Sequence, residues 1–195
     1  LAGSVGAPVL SGRARLSAFA AELPALGLKL AEGEFEFDGP PEGLARLSGS
    51  LRSGDGVLRV DGSLDLRDPA APLQLGLDGE RVTFASTPEL YLVASPNLSL
   101  AYADARLRVR GEVQVPEARV DLELLDGGAS VSPDVVVLDP VDPETGPPVP
   151  LDLDVRIALG DEVKLRGFGL DGRMGGSLAL RQRPGRAATA SGTLD

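Results

Sequence analysis

The sequence predicts an all-β fold: a mostly antiparallel sheet with one apolar and one solvated face. Three observations carry this. Apolar and polar residues alternate with period two along most of the chain. Turn signals recur at intervals of roughly 8–12 residues, the rhythm of a meandering β protein. Glycine (25) and proline (16) are abundant in a chain of 195 residues.

Taken in order, the first segment is Ala14–Leu23. Leu16, Phe19, Ala20 and Leu23 have helical spacing, but Gly12 and Pro24 bound the stretch and Ala14, Leu16, Ala18 and Ala20 also fit a strand face, so it is read as a strand. Leu47–Leu51 and Val57–Leu66 follow, joined by Ser53-Gly54-Asp55-Gly56. An Asp-Gly pair supplies the positive φ that a tight hairpin needs. Leu58, Val60, Leu64 and Leu66 then alternate with Arg59, Asp61, Ser63 and Asp65, and Leu73, Leu75 and Leu77 continue the scheme. Leu98, Leu100 and Tyr102 precede Ala105, Leu107 and Val109, which alternate with Arg106, Arg108 and Arg110. Val113 and Val115 come next, and then Ala118, Val120, Leu122 and Leu124 against Arg119, Asp121 and Glu123. Late in the chain Leu151, Leu153, Val155, Ile157 and Leu159 alternate with Asp152, Asp154, Arg156 and Ala158. Such alternation is the mark of half-buried strands. Asp78-Gly79, Asp126-Gly127-Gly128 and Asp171-Gly172 are read as further turns.

Residues 139–150 break the rhythm with five prolines in DPVDPETGPPVP. Proline removes a ladder donor and fixes φ, so this stretch is a loop or connector between a sheet region over 1–138 and a second over 151–195 that continues it. Its acids Asp139, Asp142 and Glu144 match no calcium-loop spacing and read as solvated. A loose Gly-hydroxyl-Leu pattern recurs at Gly49, Gly62, Gly176 and Gly192. Glycine at inward strand positions suggests that the sheet bends there.

Composition removes many chemistries. Cysteine, histidine and tryptophan are absent, which excludes the usual zinc sites, disulfides, haem ligation and Ser-His or Cys-His nucleophiles. A net charge of −10 makes a poor binder of nucleic acid. Gly167-Phe168-Gly169-Leu170-Asp171-Gly172 fits G-x-G-x-x-G by letter, but an alternating strand follows it, not the helix a dinucleotide site requires. The carboxylate pairs Asp152/Asp154 and Asp121/Glu123 fall on polar strand faces beside arginines, where acidity rises instead of falling. No enzyme, metal or cofactor is expected. The longest aliphatic run, Val135–Leu138, is far too short for a spanning helix. The chain opens at Leu1 without a basic stretch before an apolar run, and it is read as a section of a longer protein.

An apolar face this long needs a partner: a second sheet, a closed barrel, or a groove left for something greasy. The alternation leaves these open. The ordered series of short motifs adds to it. Glu22-Leu23-Pro24-Ala25-Leu26-Gly27, Arg52–Gly56, Ser95–Leu98, Gly111–Ala118, Val131-Ser132-Pro133-Asp134-Val135, Leu159-Gly160-Asp161 and Arg166–Arg173 occur in this order between Leu16 and Leu194. In this the chain resembles the C-terminal part of the TamB family, the inner-membrane-anchored subunits of translocation and assembly modules, which belong with the AsmA-like bridge-type lipid transport proteins.

The resemblance implies a sheet folded into a U-shaped open groove, a β-taco, with an apolar interior. It implies a periplasmic place within an inner-membrane-anchored protein, phospholipid acyl chains as ligands, and a TamA-like outer-membrane partner for the full-length chain. A linked role in outer-membrane protein assembly comes with it, and no catalytic residues. The candidate groove lining is Leu58, Val60, Leu64, Leu66, Leu73 and Leu75, with Leu98, Leu100 and Tyr102, then Leu107, Val109, Val113, Val115, Val120 and Leu122. Leu153, Val155, Ile157, Val163 and Leu165 follow, and Leu178 and Leu180 end the series. The alternatives are a chaperone module that holds unfolded outer-membrane β-proteins by strand addition, and a closed β-sandwich spacer. The exposed strand edges of a short section are expected to make it associate in solution.

Overall fold

The computed structural model describes residues 2–4, 7–9, 12–39, 43–65, 68, 72–126 and 150–195. Two short strands, β1 (Ala2–Ser4) and β2 (Ala7–Val9), pair with each other in a small separate sheet. The other twelve strands form one sheet. In chain order they are β3 (Gly12–Leu23), β4 (Leu28–Gly39), β5 (Leu44–Ser53), β6 (Gly56–Asp65), β7 (Leu73–Glu80), β8 (Val82–Ser86), β9 (Leu90–Ala103), β10 (Arg106–Asp121), β11 (Leu151–Gly167), β12 (Leu170–Arg173), β13 (Gly176–Gln182) and β14 (Thr189–Leu194). A 3₁₀ turn, Pro24–Leu26, links β3 to β4, and one short helix, α1 (Leu122–Asp126), follows β10.

The sheet runs β14-β13-β11-β10-β9-β7-β6-β5-β4-β3, with β12 beside β11 and β8 beside β9. Among the described residues it is open: β3 and β14 are its edges and do not pair with each other. The all-β class, the strand reading of Ala14–Leu23 and the hairpin at Gly54-Asp55 hold. Every pairing is antiparallel except β10 with β11, which run parallel from Leu107↔Leu151 to Asp121↔Arg166. Parallel neighbours require a crossover connection, and here residues 122–150 make it. The proposed boundary loop lies outside the described residues except for Pro150, whose carbonyl accepts a hydrogen bond from the Leu107 amide at the start of that pairing. Val131–Leu138 and Gly127-Gly128 lie outside them too.

The sheet is creased. One extra residue sits in β3 between Leu16 and Phe19, one in β4 between Ala31 and Glu34, and the β10 pairings shift register between Gln114 and Glu117. Ala18 (φ 53°), Glu32 (φ 51°) and Arg81, between β7 and β8 (φ 47°), take left-handed conformations along the same line. Bulges sharpen local twist and bend a strand, and bulges aligned across neighbours fold the whole sheet. The fold closes over the apolar face. β8 pairs with β9 yet also packs across β4, β5 and β6. The buried Ser53 hydroxyl donates to the Thr83 carbonyl at 2.7 Å. Gly27 approaches Ser86 so closely that a Cβ there would sit 2.0 Å from the Ser86 carbonyl oxygen, and its φ of 63° itself favours glycine. The core sits in the crook of the bend, where Ala94, Val115, Ala118 and Val163 are buried with Phe84, Leu92 and Met174 packed on them.

Several sequence readings meet a different structure. Asp78-Gly79 and Asp171-Gly172 are not turns: they lie inside β7 and β12, and the chain reverses at Phe168-Gly169 instead. Ala105 is a turn residue between β9 and β10. The alternation through Leu122 and Leu124 is not strand. The strand ends at Asp121, whose carboxylate accepts from the amides of Glu123 and Leu124 and starts α1. That is the behaviour of an Asp at a helix N-terminus. Non-glycine residues Ala18, Glu32 and Arg81 take left-handed conformations that sequence reasoning did not anticipate, and of the recurring glycines Gly176 has φ 106°. Finally, among the described residues no second sheet covers this one, which sets aside the closed sandwich.

Candidate functional site

Residues paired across a ladder project from the same face, so the register traces rows across the sheet. One row reads Ala190–Leu180–Val155–Gly111–Leu98–Leu77–Val60–Gly49–Phe35–Leu16, from β14 to β3. The next reads Leu153–Val109–Leu100–Leu75–Gly62–Leu47–Phe37–Ala14, from β11 to β3. Neither contains a charged or hydroxyl residue. Between them on the other face runs Arg181–Asp154–Arg110–Ser99–Gly76–Asp61–Ser48–Glu36–Arg15. The sheet therefore carries an uninterrupted apolar face from edge to edge and a polar face behind it.

Most residues of the apolar face are half-buried, not buried. Full burial is approached in the crook of the bend and β8, and also at Ala45 and Val155. At the free β3 edge Leu16 keeps 51% of its surface in water. Apolar surface left in water costs about 25 cal/mol per Å² relative to burial, so this face gains from any apolar occupant.

The register puts the candidate residues of β6, β7, β9, β10, β11 and β13 on this face together. Leu122 does not join them, since it opens α1 against Gly167. Leu66 lies outside the described residues. Sequence reasoning left out Leu16, Phe35, Phe37 and Leu47, which extend the same rows to β3. The alternating run Glu34-Phe35-Glu36-Phe37-Asp38 carries the signal that finds them. Two of the recurring glycines have a packing role here. A Cβ on Gly49 would meet the Phe35 ring at 2.3 Å, and one on Gly62 would meet Leu75 at 2.5 Å. The large side chains lie down over the glycines, which keeps the floor of the apolar face shallow.

The polar face is laced by ion pairs across strands. Asp152 is the most enclosed acid, with its side chain 13% exposed. The Arg110 guanidinium donates to one carboxylate oxygen and the Arg183 guanidinium to the other, each at 2.9 Å. The hydrogen bond from Arg110, then the charges of Arg110 and Arg183, hold its pKa below the ordinary 3.8. An acid catalyst needs the opposite shift. Asp121 and Glu123 do not share a strand face, since the second lies in α1 and accepts from the Phe168 amide at 2.6 Å. Gly167–Gly172 forms the turn from β11 to β12, strand to strand. Among the described residues no three acids gather to hold a metal, and no helix is long and apolar enough to cross a membrane. Asp139, Asp142 and Glu144 lie outside the described residues.

The lowered pKa of Asp152 has a pH consequence. A carboxylate depressed by folding contributes stability above its unfolded pKa and loses it as pH falls through the folded value. The stability difference between the native chain and Asp152→Asn is therefore constant above about pH 5 and shrinks below about pH 4. Thermal melts of both from pH 7 to pH 3 check this, and a difference that stays constant to pH 3 contradicts it.

Residues 30–195 match the family described as the TamB C-terminal domain. No solved structure matches the chain.

Proposed function

Since the chain belongs to the TamB C-terminal domain family, we propose that its apolar face is a stretch of groove along which phospholipid acyl chains move between the inner and outer membranes. One observation carries the reading: one apolar row crosses the sheet from β14 to β3 and the next from β11 to β3, neither with a charged or hydroxyl residue, and most of their side chains stay half-exposed. A chain that slides along such rows exchanges one apolar contact for an equal one. Each methylene kept out of water is worth about 0.8 kcal/mol, so a lipid tail has strong reason to stay in the groove and little reason to stop. No base, nucleophile or metal is needed.

In this reading the protein works in the periplasm as part of an inner-membrane-anchored chain that meets a TamA-like outer-membrane partner. The open edges favour a second reading. β14 is exposed along its whole length and, among the described residues, pairs only with β13, which suits addition of a strand from an unfolded outer-membrane β-protein.

A photo-crosslinking residue placed at Val60 or Leu100, and at Asp61 or Ser99 behind them, separates the two in cells that carry the full-length protein. Lipid adducts at the first pair alone support the groove. Adducts to an outer-membrane protein support strand addition. Equal adducts on both faces contradict the groove.

A further inference from the structure

The polar face follows a rule that it breaks at one end, where Glu117 stands opposite Glu162 and a row of cations comes next. Cations stand opposite acids: Arg13 with Asp38 at 3.4 Å, Arg15 with Glu36 at 3.7 Å, Arg59 with Asp78 at 3.8 Å, and Arg181 with Asp154 at 3.4 Å. At the far end of β10 and β11, however, Arg119 pairs with Lys164 and Lys164 with Arg173. Three cations thus stand side by side across β10, β11 and β12. Like charges directly opposite destabilise a sheet. Among the described residues none of the three has an ion pair, although Arg166, two residues further along, is bound to Asp171 at 3.3 Å. Glu162 stands two residues before Lys164 on the same strand face and does not pair with it. Glu117, two before Arg119, is taken by Arg81 at 3.4 Å.

The row opens into a cleft of about 500 Å³, lined by Tyr91, Arg119, Lys164 and the Ser86 hydroxyl among others. The Arg119 guanidinium carbon lies over the Tyr91 ring, 4.6 Å from its centre. The ring contact engages the guanidinium through its face, and its N–H fork suits two oxygens of one tetrahedral anion. Lys164 adds a point charge beside it, and Arg173 a second charge beyond. The hydroxyls of Ser86 and Tyr91 supply further donors. The cleft wall also carries Arg166 and Asp171, which pair with each other, and Asp121, whose carboxylate accepts from the amides of Glu123 and Leu124, so Arg119 and Lys164 are the cations of the cleft with no ion pair among the described residues.

We propose that this cleft binds a phosphate ester, with Arg119 as the bidentate donor and Lys164 as the neutralising charge, Arg173 adding to the field from the neighbouring strand. The site is on the polar face and stands apart from the groove reading: either holds if the other fails. The phosphate belongs to a soluble ester or to a lipid headgroup.

The test uses the full chain, glycerol 3-phosphate, and two vesicle preparations: phosphatidylcholine alone, and phosphatidylcholine with phosphatidylglycerol. Glycerol 3-phosphate raises the melting temperature of the native chain more than chloride at equal ionic strength does. In Arg119→Gln/Lys164→Gln the binding falls by about tenfold or more. That variant melts no lower than the native chain without ligand, because like-charge repulsion is relieved. Arg156→Gln, which removes a single cation elsewhere on β11, leaves binding intact. Soluble ester bound without vesicles assigns the site to a free ester. Binding to the phosphatidylglycerol vesicles, lost in the double variant, assigns it to a headgroup. Equal binding by the native chain and the double variant, or binding to neither probe, overturns the site.

Discussion

Leu98→Asp in the full-length protein is expected to stop phospholipid transfer while the protein still folds and accumulates. Leu98 lies mid-row, opposite Gly111 on β10 and Leu77 on β7. It is half-buried, so the substitution leaves the charge partly in water and costs the fold only about 1–2 kcal/mol. For a sliding acyl chain the cost is larger. Each passing methylene must either strip water from the carboxylate or lift away from the row. A charge deprived of part of its water costs several kcal/mol, and a barrier of about 3 kcal/mol slows transfer more than a hundredfold. Ser99→Asp is the control: the same charge on the next residue, pointing from the opposite face. Transfer of labelled phospholipid from inner- to outer-membrane vesicles reads the result. Equal transfer by the two variants would remove the groove.

Part of this geometry is written in the sequence more finely than plain alternation. The apolar positions of β3 run Ala14, Leu16 and then slip by one to Phe19 and Ala21, and the extra residue is the bulge at Ala18. In β4 Leu28 and Leu30 give way to Gly33, Phe35 and Phe37, with the slip at Glu32. In β10 Val113 and Val115 give way to Ala118 and Val120, with the slip at Pro116-Glu117. A bulge inserts one residue without turning the strand over. The pattern therefore changes phase where the face does not. Phase slips in neighbouring strands mark the crease, whereas the recurring glycines mark places where a large neighbour lies flat.

Other features are not local and leave no such trace. The parallel pairing of β10 with β11 depends on where a crossover of some 29 residues (122–150) returns the chain. Leu122 and Leu124 keep the strand period but stand just after Asp121, whose side chain captures two amides and starts a helical turn. Short polar side chains compete with the ladder in this way. Asp78-Gly79 has the letters of a hairpin turn, yet Glu80 still pairs with Val57, and the left-handed residue is Arg81. The apolar face is legible because period two needs only one strand at a time. The cation row is not, because Arg119, Lys164 and Arg173 meet only through two pairings between distant segments.

The crease itself yields the second large effect, at Val82. This valine is 2% exposed. A Cβ on Gly79 would lie 2.8 Å from its Cγ2, beside Leu58 and Pro96, so Val82 fills the contact between β8 and the apolar face. Val82→Ala removes two methyl-sized groups and is expected to cost about 2 kcal/mol. Val82→Asp puts a charge where no cation lies within reach among the described partners, and about 3–5 kcal/mol is expected. The loss has a direction. β8 is the strand that ties the folded arm to β4, β5 and β6, so its release opens the crease while the β5–β6 and β6–β7 ladders persist. Hydrogen exchange distinguishes this from general unfolding. Val82→Asp should expose the amides of Leu28, Ala85 and Ala94, the residues around the bend, well before those of Val60 and Leu75 in the flat part of the sheet. Uniform exchange along the chain would mean that the crease is not a separate element and that the sheet opens as one unit.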